Sequence, residues 1–342
     1  MTRRAWAVVR LAGAATIVAV IVVRLGAGPF LAGLRSVSAG ALLAACGIAI
    51  VTTCCCAWRW WLVARGLGVP IGFRPALAAY YRSQFLNSTL PGGVFGDVHR
   101  GVRHGRDAGD LGRGLRAVFW ERTAGQLVQI VVAVAVLTTF ASPVRGEAVP
   151  ILAIAVLVAL AGAAVRRRGG RWRTVPPSPG SRWVRARQVM SSDLRDGIAA
   201  RHIWPGVLGC SIAAQVGHLA TFVIAVRAVG VTMPLVHVVP LATLVLLAAA
   251  VPTNVGGWGP REGAAAWVFS AAGLTAVQGV AAGVAYGALV TAASLPGAVV
   301  LAAGALARRR QPSSTPTSPY VPPPFRPRRT AGVLAAHGGL DG

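Results

Sequence analysis

Lysine is missing from this 342-residue chain: all 34 basic residues are arginine, and only 9 residues are acidic. An arginine-only set reflects nucleotide composition as much as physics, so that absence excludes little. The absence of charge over long stretches excludes more. Residues 37–58, 123–144, 202–226 and 263–307 contain no Asp, Glu, Lys or Arg. Crossing a hydrocarbon core of ~30 Å takes about 20 apolar residues, and a soluble domain has no need of such runs. Cysteine is scarce, and Cys46, Cys54, Cys55, Cys56 and Cys210 all fall inside apolar runs, where a thiol behaves as a small apolar side chain. That placement excludes a disulfide framework. No nucleophile stands beside a base and an orienter, and His99 and His104 lack a compact ligand spacing with Asp97 and Asp107. The reading is no catalytic residue, no metal and no cofactor.

What is present is apolar mass, 55% of residues against 13% charged, with a formal net charge of +25. Such a charge raises the question of nucleic acid, and its placement answers it: the arginines sit between the apolar runs, where they orient spans and attract anionic headgroups. The partners are membrane lipids and no nucleic acid. Crossing helices are predicted near 5–23, 38–58, 117–140, 148–165, 204–226 and 276–306, the last reading as one long span or two short ones. Met1-Thr2-Arg3-Arg4 before Leu11–Val23 has the form of a signal peptide. Arg24 follows directly with no small-x-small site, which favours an uncleaved first span.

Two apolar segments are too short to cross. Ala76–Leu90 runs into Leu90-Pro91-Gly92-Gly93, and His237–Val251 runs into Pro252-Thr253-Asn254-Val255-Gly256-Gly257. Short runs broken by Pro and Gly are candidates for re-entrant helices, which a bilayer tolerates where protein or water satisfies the backbone. Placing both termini in the cytoplasm assigns 27 arginines to the inner side and 4 to the outer (Arg24, Arg35, Arg145 and Arg227). The inner set counts the arginines of 59–74 as a connection, and a basic loop at 166–202. The fold expected is an all-α polytopic plasma-membrane protein. It has about six transmembrane helices plus two re-entrant broken-helix segments, arranged as inverted halves of about 1–145 and 146–307. Residues 308–342, rich in Pro and Arg, read as a disordered cytoplasmic tail.

Candidate binding residues cluster at the two breaks. In the first, Asn87, Pro91, Gly92, Gly93, Gly96, Asp97 and Arg100 combine backbone freedom with an arginine able to pair with a phosphate and a carboxylate able to hold it. In the second, Pro252, Gly256, Gly257 and Gly259 precede Arg261-Glu262, a charged pair between uncharged runs 228–260 and 263–307. Charges so deep in apolar context mark a pathway or site unless they are a structural pair. Pro91 to Arg100 and Pro252 to Arg261 share one spacing. Glu121-Arg122 opens the third span, either as an interfacial anchor or as part of the same site. His218, near Gln215, reads as an interhelical hydrogen bond.

These motifs together resemble the flippase-like transmembrane region of the lysylphosphatidylglycerol synthase family. The resemblance brackets about 5–307, and Pro260 departs from the family's aliphatic residue before the Arg-Glu pair. It implies translocation of an anionic phospholipid or polyprenyl-linked lipid between leaflets, with Arg100 and Arg261 meeting the headgroup. The soluble aminoacyl-transferring domain of bifunctional relatives has no counterpart among these residues. Two other readings are a non-transporting accessory or scaffold component of envelope lipid or glycolipid assembly, and a membrane-embedded transferase on a lipid-linked substrate. The transferase would need a carboxylate from Asp97, Glu121 or Glu262.

Overall fold

A computed structural model describes residues 3–140, 146, 188–194, 200–251 and 258–310. The described chain is helical, in the order α1 (Arg3–Leu25), α2 (Gly28–Arg35), α3 (Ala39–Gly66), α4 (Phe73–Thr89), α5 (Phe95–Asp107) and α6 (Leu111–Thr139). After the gap come α7 (Trp204–Ala228), α8 (Leu235–Ala249), α9 (Pro260–Ala271), α10 (Ala276–Ser294) and α11 (Pro296–Arg310). Side chains that free the first amides of a helix from water start the long ones. Ser38 accepts from the Ala41 amide before α3, Asp110 from Arg113 before α6, and Thr275 forms a capping box with Gln278 before α10.

Four stretches are long and apolar enough to cross a membrane: Ala39–Gly66, Leu111–Thr139, Trp204–Ala228 and Ala276–Leu306. A fifth is the pair α1 and α2, bent by 97°. The protein is therefore an all-α polytopic membrane protein with four such spans, or five with the bent pair, among the described residues. The predicted span at 148–165 lies outside them, as do most of the loop 166–202 and the tail from 311. The open question at 276–306 resolves into one 31-residue apolar stretch, interrupted between α10 and α11.

Three local expectations change. The first span does not simply exit at Arg24: Gly26, at φ 73°, breaks it, and residues expected in an outer connection form α2. Gly33 presses α2 onto α10 so closely that a Cβ there would lie 2.5 Å from the Ala281 carbonyl oxygen. Next, α3 does not stop at residue 58 but continues to Gly66. This places Arg59 inside a helix rather than in a connection. Finally, within the basic loop expected at 166–202, residues 188–194 include a buried Asp193 that accepts from Arg116 Nε at 2.6 Å and Trp120 Nε1 at 3.3 Å on α6.

Between lipid-embedded helices, close packing replaces water expulsion as the cohesive force, so small residues mark the tightest contacts. A Cβ on Gly114 of α6 would lie 2.4 Å from the Gly105 Cα of α5, and one on Gly279 of α10 2.2 Å from the Ala265 carbonyl of α9. Three apolar cores result among the described residues, the smallest setting Ile21 of α1 against Val280 and Val284 of α10. Of the larger two, one joins α3, α4, α6 and α7 around Trp60, Val63 and Tyr80; the other joins α7 to α10 around Phe222, Leu241, Phe269 and Leu289. Helices α3 and α7 pack along each other and contribute to both of these.

Candidate functional site

The first broken segment is a clasp. Helix α4 ends at Thr89, Gly92 (φ 92°) and Gly93 (φ 61°) turn the chain through conformations open to glycine, and α5 starts at Phe95. Asn87 holds the two helices together: its Oδ1 accepts from the Gly96 amide at 2.8 Å and its Nδ2 donates to Asp97 Oδ2 at 3.0 Å. Gly96 has no room for a side chain, since a Cβ would sit 2.0 Å from the Ser83 carbonyl oxygen. Ser83 completes the clasp by donating to Asp97 Oδ1 at 3.0 Å.

Asp97 leads into a buried charge network. Arg100 Nη2 donates to Asp97 Oδ1 and to Glu121 Oε2, each at 2.9 Å. Glu121 is fully buried. Its Oε1 accepts from Arg59 Nε at 2.9 Å, from a second Arg59 nitrogen, and from the Tyr80 hydroxyl at 3.3 Å. Arg59 also reaches Ser211 Oγ on α7 at 3.0 Å. Arg122 Nε lies 3.2 Å from Asp97 Oδ2. Arg100 is sandwiched between Trp60 and Tyr80, with its guanidinium 4.5 Å and 4.4 Å from the ring centres. Its Nε and Nη1 have no hydrogen-bond partner, and the aromatic faces take that role.

The second charged pair is more compact. Glu262 Oε2 accepts from the Gly259 amide at 2.7 Å, closing the first turn of α9, while its Oε1 accepts from Arg261 Nε at 2.8 Å and from Arg261 Nη2. Gly259 has φ 124°, outside the reach of ordinary side chains. Trp258 and Tyr286 flank the Arg261 guanidinium at 5.6 Å and 5.5 Å.

These groups surround one cavity of about 360 Å³, whose walls come from α3 to α10. Of the residues singled out in the sequence, Asn87, Gly93, Asp97, Arg122 and Arg261 line it. Pro91, Gly92, Gly96, Arg100, Glu121, Gly259 and Glu262 do not; they shape the breaks or hold the lining arginines. The expected partnership of Arg100 and Arg261 around a headgroup therefore divides: Arg261 faces the cavity, and Arg100, 1% exposed, is sealed behind it. Arg122 is the open cation, with a side chain 45% exposed and no hydrogen bond to its Nη groups among the described residues. Pro252, Gly256 and Gly257 lie outside the described residues. His218 meets the Tyr286 hydroxyl through Nδ1 at 3.3 Å, the interhelical bond expected of it. His104 is tied to the Val69 carbonyl at 3.0 Å.

Arg59 was missed, although it also lines the cavity. It counts with the arginines of the connection 59–74, just past the charge-free run that ends at Trp58. The overlooked signal is that the apolar run continues past it to Ala64, a further turn and more of helix. The family model for the lysylphosphatidylglycerol synthase TM region matches residues 7–297. The chain belongs to that family. The matched region contains every helix from α2 to α10, and hence both breaks and the whole charge network. No curated protein and no solved structure matches the chain.

Proposed function

We propose that this family member is a flippase, moving a lipid with a phosphate-bearing headgroup between the leaflets of the cell membrane. The observation that carries the reading is the open guanidinium fork of Arg122 in a cavity walled by membrane-spanning helices, with Arg261 on the same cavity wall. A planar fork suits a phosphate's paired oxygens better than a point charge does. A cavity of about 360 Å³ suits a headgroup and leaves the acyl chains in the bilayer. Arg59 and Arg100 act through Glu121 and Asp97, which set where Arg122 stands.

The order long helix, short helix, break, short helix, long helix occurs in α3–α6 and again in α7–α10, which supports inverted halves rocking about the cavity. The halves meet along α3 and α7 and between α2 and α10, with hydrogen bonds that include Arg59 Nη1 donating to Ser211 Oγ at 3.0 Å, Ser88 Oγ with Ser294 Oγ at 3.2 Å, and Gln129 Nε2 donating to the Leu246 carbonyl at 3.0 Å. A transferase instead needs a carboxylate free to accept a proton, and Asp97, Glu121 and Glu262 are each held by arginine.

The test is leaflet exchange of acyl-labelled phosphatidylglycerol in reconstituted vesicles. The purified protein is expected to accelerate exchange, and a monodisperse Arg122→Lys, Arg261→Lys double variant to lose roughly tenfold or more, since each change keeps the charge and removes the fork. Exchange no faster than in protein-free vesicles overturns the reading.

A further inference from the structure

The cavity's charge inventory bears on which headgroup it accepts, an inference that rests on the translocation reading above. The first cluster joins three arginines, Arg59, Arg100 and Arg122, to two carboxylates, Asp97 and Glu121. The second holds one arginine and one carboxylate, Arg261 and Glu262. The linked groups carry one positive charge in excess, which a single phosphodiester anion neutralises.

Among the described residues no carboxylate of this cavity remains free for a cationic headgroup. Asp97 takes contacts from Ser83, Asn87, Arg100 and Arg122; Glu121 from Arg59, Arg100 and Tyr80; Glu262 from Arg261 and the Gly259 amide. Of these three, only Asp97 reaches the cavity wall.

The rest of the polar wall is neutral and hydrogen-bonding. Gln126 on α6 and Gln215 on α7 line the cavity without a hydrogen-bond partner among the described residues. Gln84 on α4 spends its oxygen on the Thr53 hydroxyl at 3.0 Å and keeps its amide N–H groups, and His218 spends Nδ1 on Tyr286 and keeps Nε2. Amides and an imidazole serve as donors and acceptors to hydroxyls without bringing charge. A buried site built to bond hydroxyls disfavours a ligand that lacks them, because its own polar groups are then left unpaired.

We infer that the headgroup this cavity accepts is an anionic phosphodiester bearing an uncharged, hydroxyl-rich group such as a polyol or sugar, and not an aminoacylated one. An aminoacyl ester of lysine adds two ammonium charges to the single phosphate. Its transfer would leave like charges facing Arg122 and Arg261 with no free acid among the cavity's described residues to receive them, and like-charge contact out of water is strongly unfavourable.

The experiment compares acyl-labelled phosphatidylinositol, lysyl-phosphatidylglycerol and phosphatidylcholine in vesicles holding the full chain. Phosphatidylinositol is expected to exchange at least about tenfold faster than either of the others. Lysyl-phosphatidylglycerol or phosphatidylcholine moving as fast as phosphatidylinositol overturns the headgroup assignment while leaving translocation standing. No acceleration of any of these lipids, nor of phosphatidylglycerol, overturns translocation itself and this inference with it. The variant Gln215→Glu adds a carboxylate to the wall. It is expected to slow phosphatidylinositol and raise lysyl-phosphatidylglycerol, narrowing their ratio about tenfold. A monodisperse Gln215→Glu protein with the parental ratio also overturns the assignment.

Discussion

At the scale of single residues, Glu121 is the keystone of the charge network, because one carboxylate answers two buried guanidinium groups from different helices. Glu121→Gln leaves Arg59 and Arg100 short of a counter-charge where water does not reach. Breaking a buried pair in this way typically costs about 3–5 kcal/mol, so the variant is expected to lose thermal stability, measured by the unfolding midpoint in detergent, as well as transport. Gly287→Ala tests the second charged pair. A Cβ at Gly287 would stand 2.2 Å from Arg261 Nη2, the far end of a flexible side chain that is able to swing aside. The expected outcome is slowed leaflet exchange together with a lowered midpoint, since Arg261 leaves its seat between Glu262 and Tyr286 and the buried Glu262 loses its counter-charge.

At the scale of elements, the clasp between α4 and α5 decides where Asp97 stands, and through it Arg122. Its geometry depends on backbone touching backbone, which no side-chain rearrangement relieves. Gly96→Ala drives a methyl group into the Ser83 carbonyl and is expected to destabilise by about 1–3 kcal/mol, the usual cost of overpacking. Asn87→Ala removes both of the asparagine's bonds and leaves the Gly96 amide unanswered, at about 1–3 kcal/mol. Faster proteolysis within 90–94 in either variant is the check, because that turn is then no longer held from both sides.

The two breaks were legible in the sequence because Pro and Gly interrupt apolar runs too short to cross, and α4 and α8 are indeed short helices, Phe73–Thr89 and Leu235–Ala249. The bend between α1 and α2 was not. Gly26 and Pro29 stand among residues that read equally well as a plain connection, and only the packing of Gly33 on α10 makes a helix of them.

At the scale of the whole molecule, orientation rests on the arginine distribution. Arg59 and Arg65, counted in a connection, lie in α3, and Arg100 is sealed in the charge network, so the inner count falls from 27 to 24 against 4. The bias survives, and both termini are expected in the cytoplasm. A single cysteine replacing Ser318, in a protein freed of its five native cysteines, should resist an impermeant thiol reagent applied outside intact cells and react after permeabilisation. Labelling from outside would reverse the topology and with it the direction in which each break enters the membrane.

The sequence by itself determined that the chain lives in a bilayer and roughly where its long apolar helices run, with α3 ending eight residues past the predicted 58 and α6 starting six before the predicted 117. Those properties follow from local composition: a run without charge has one favourable solvent, and Pro-Gly-Gly ends a helix because proline lacks an amide hydrogen and glycine turns into left-handed backbone without steric cost. Only the tertiary structure decided the role of each charge. Arg100 and Arg122 are two arginines beside apolar helix in the sequence, yet one is walled in by Trp60 and Tyr80 and the other opens onto the cavity. Arg59 reaches Glu121 across 62 positions and Ser211 across 152. Such pairings depend on which helix faces stack together, a property of the packed assembly that spacing along the chain does not carry.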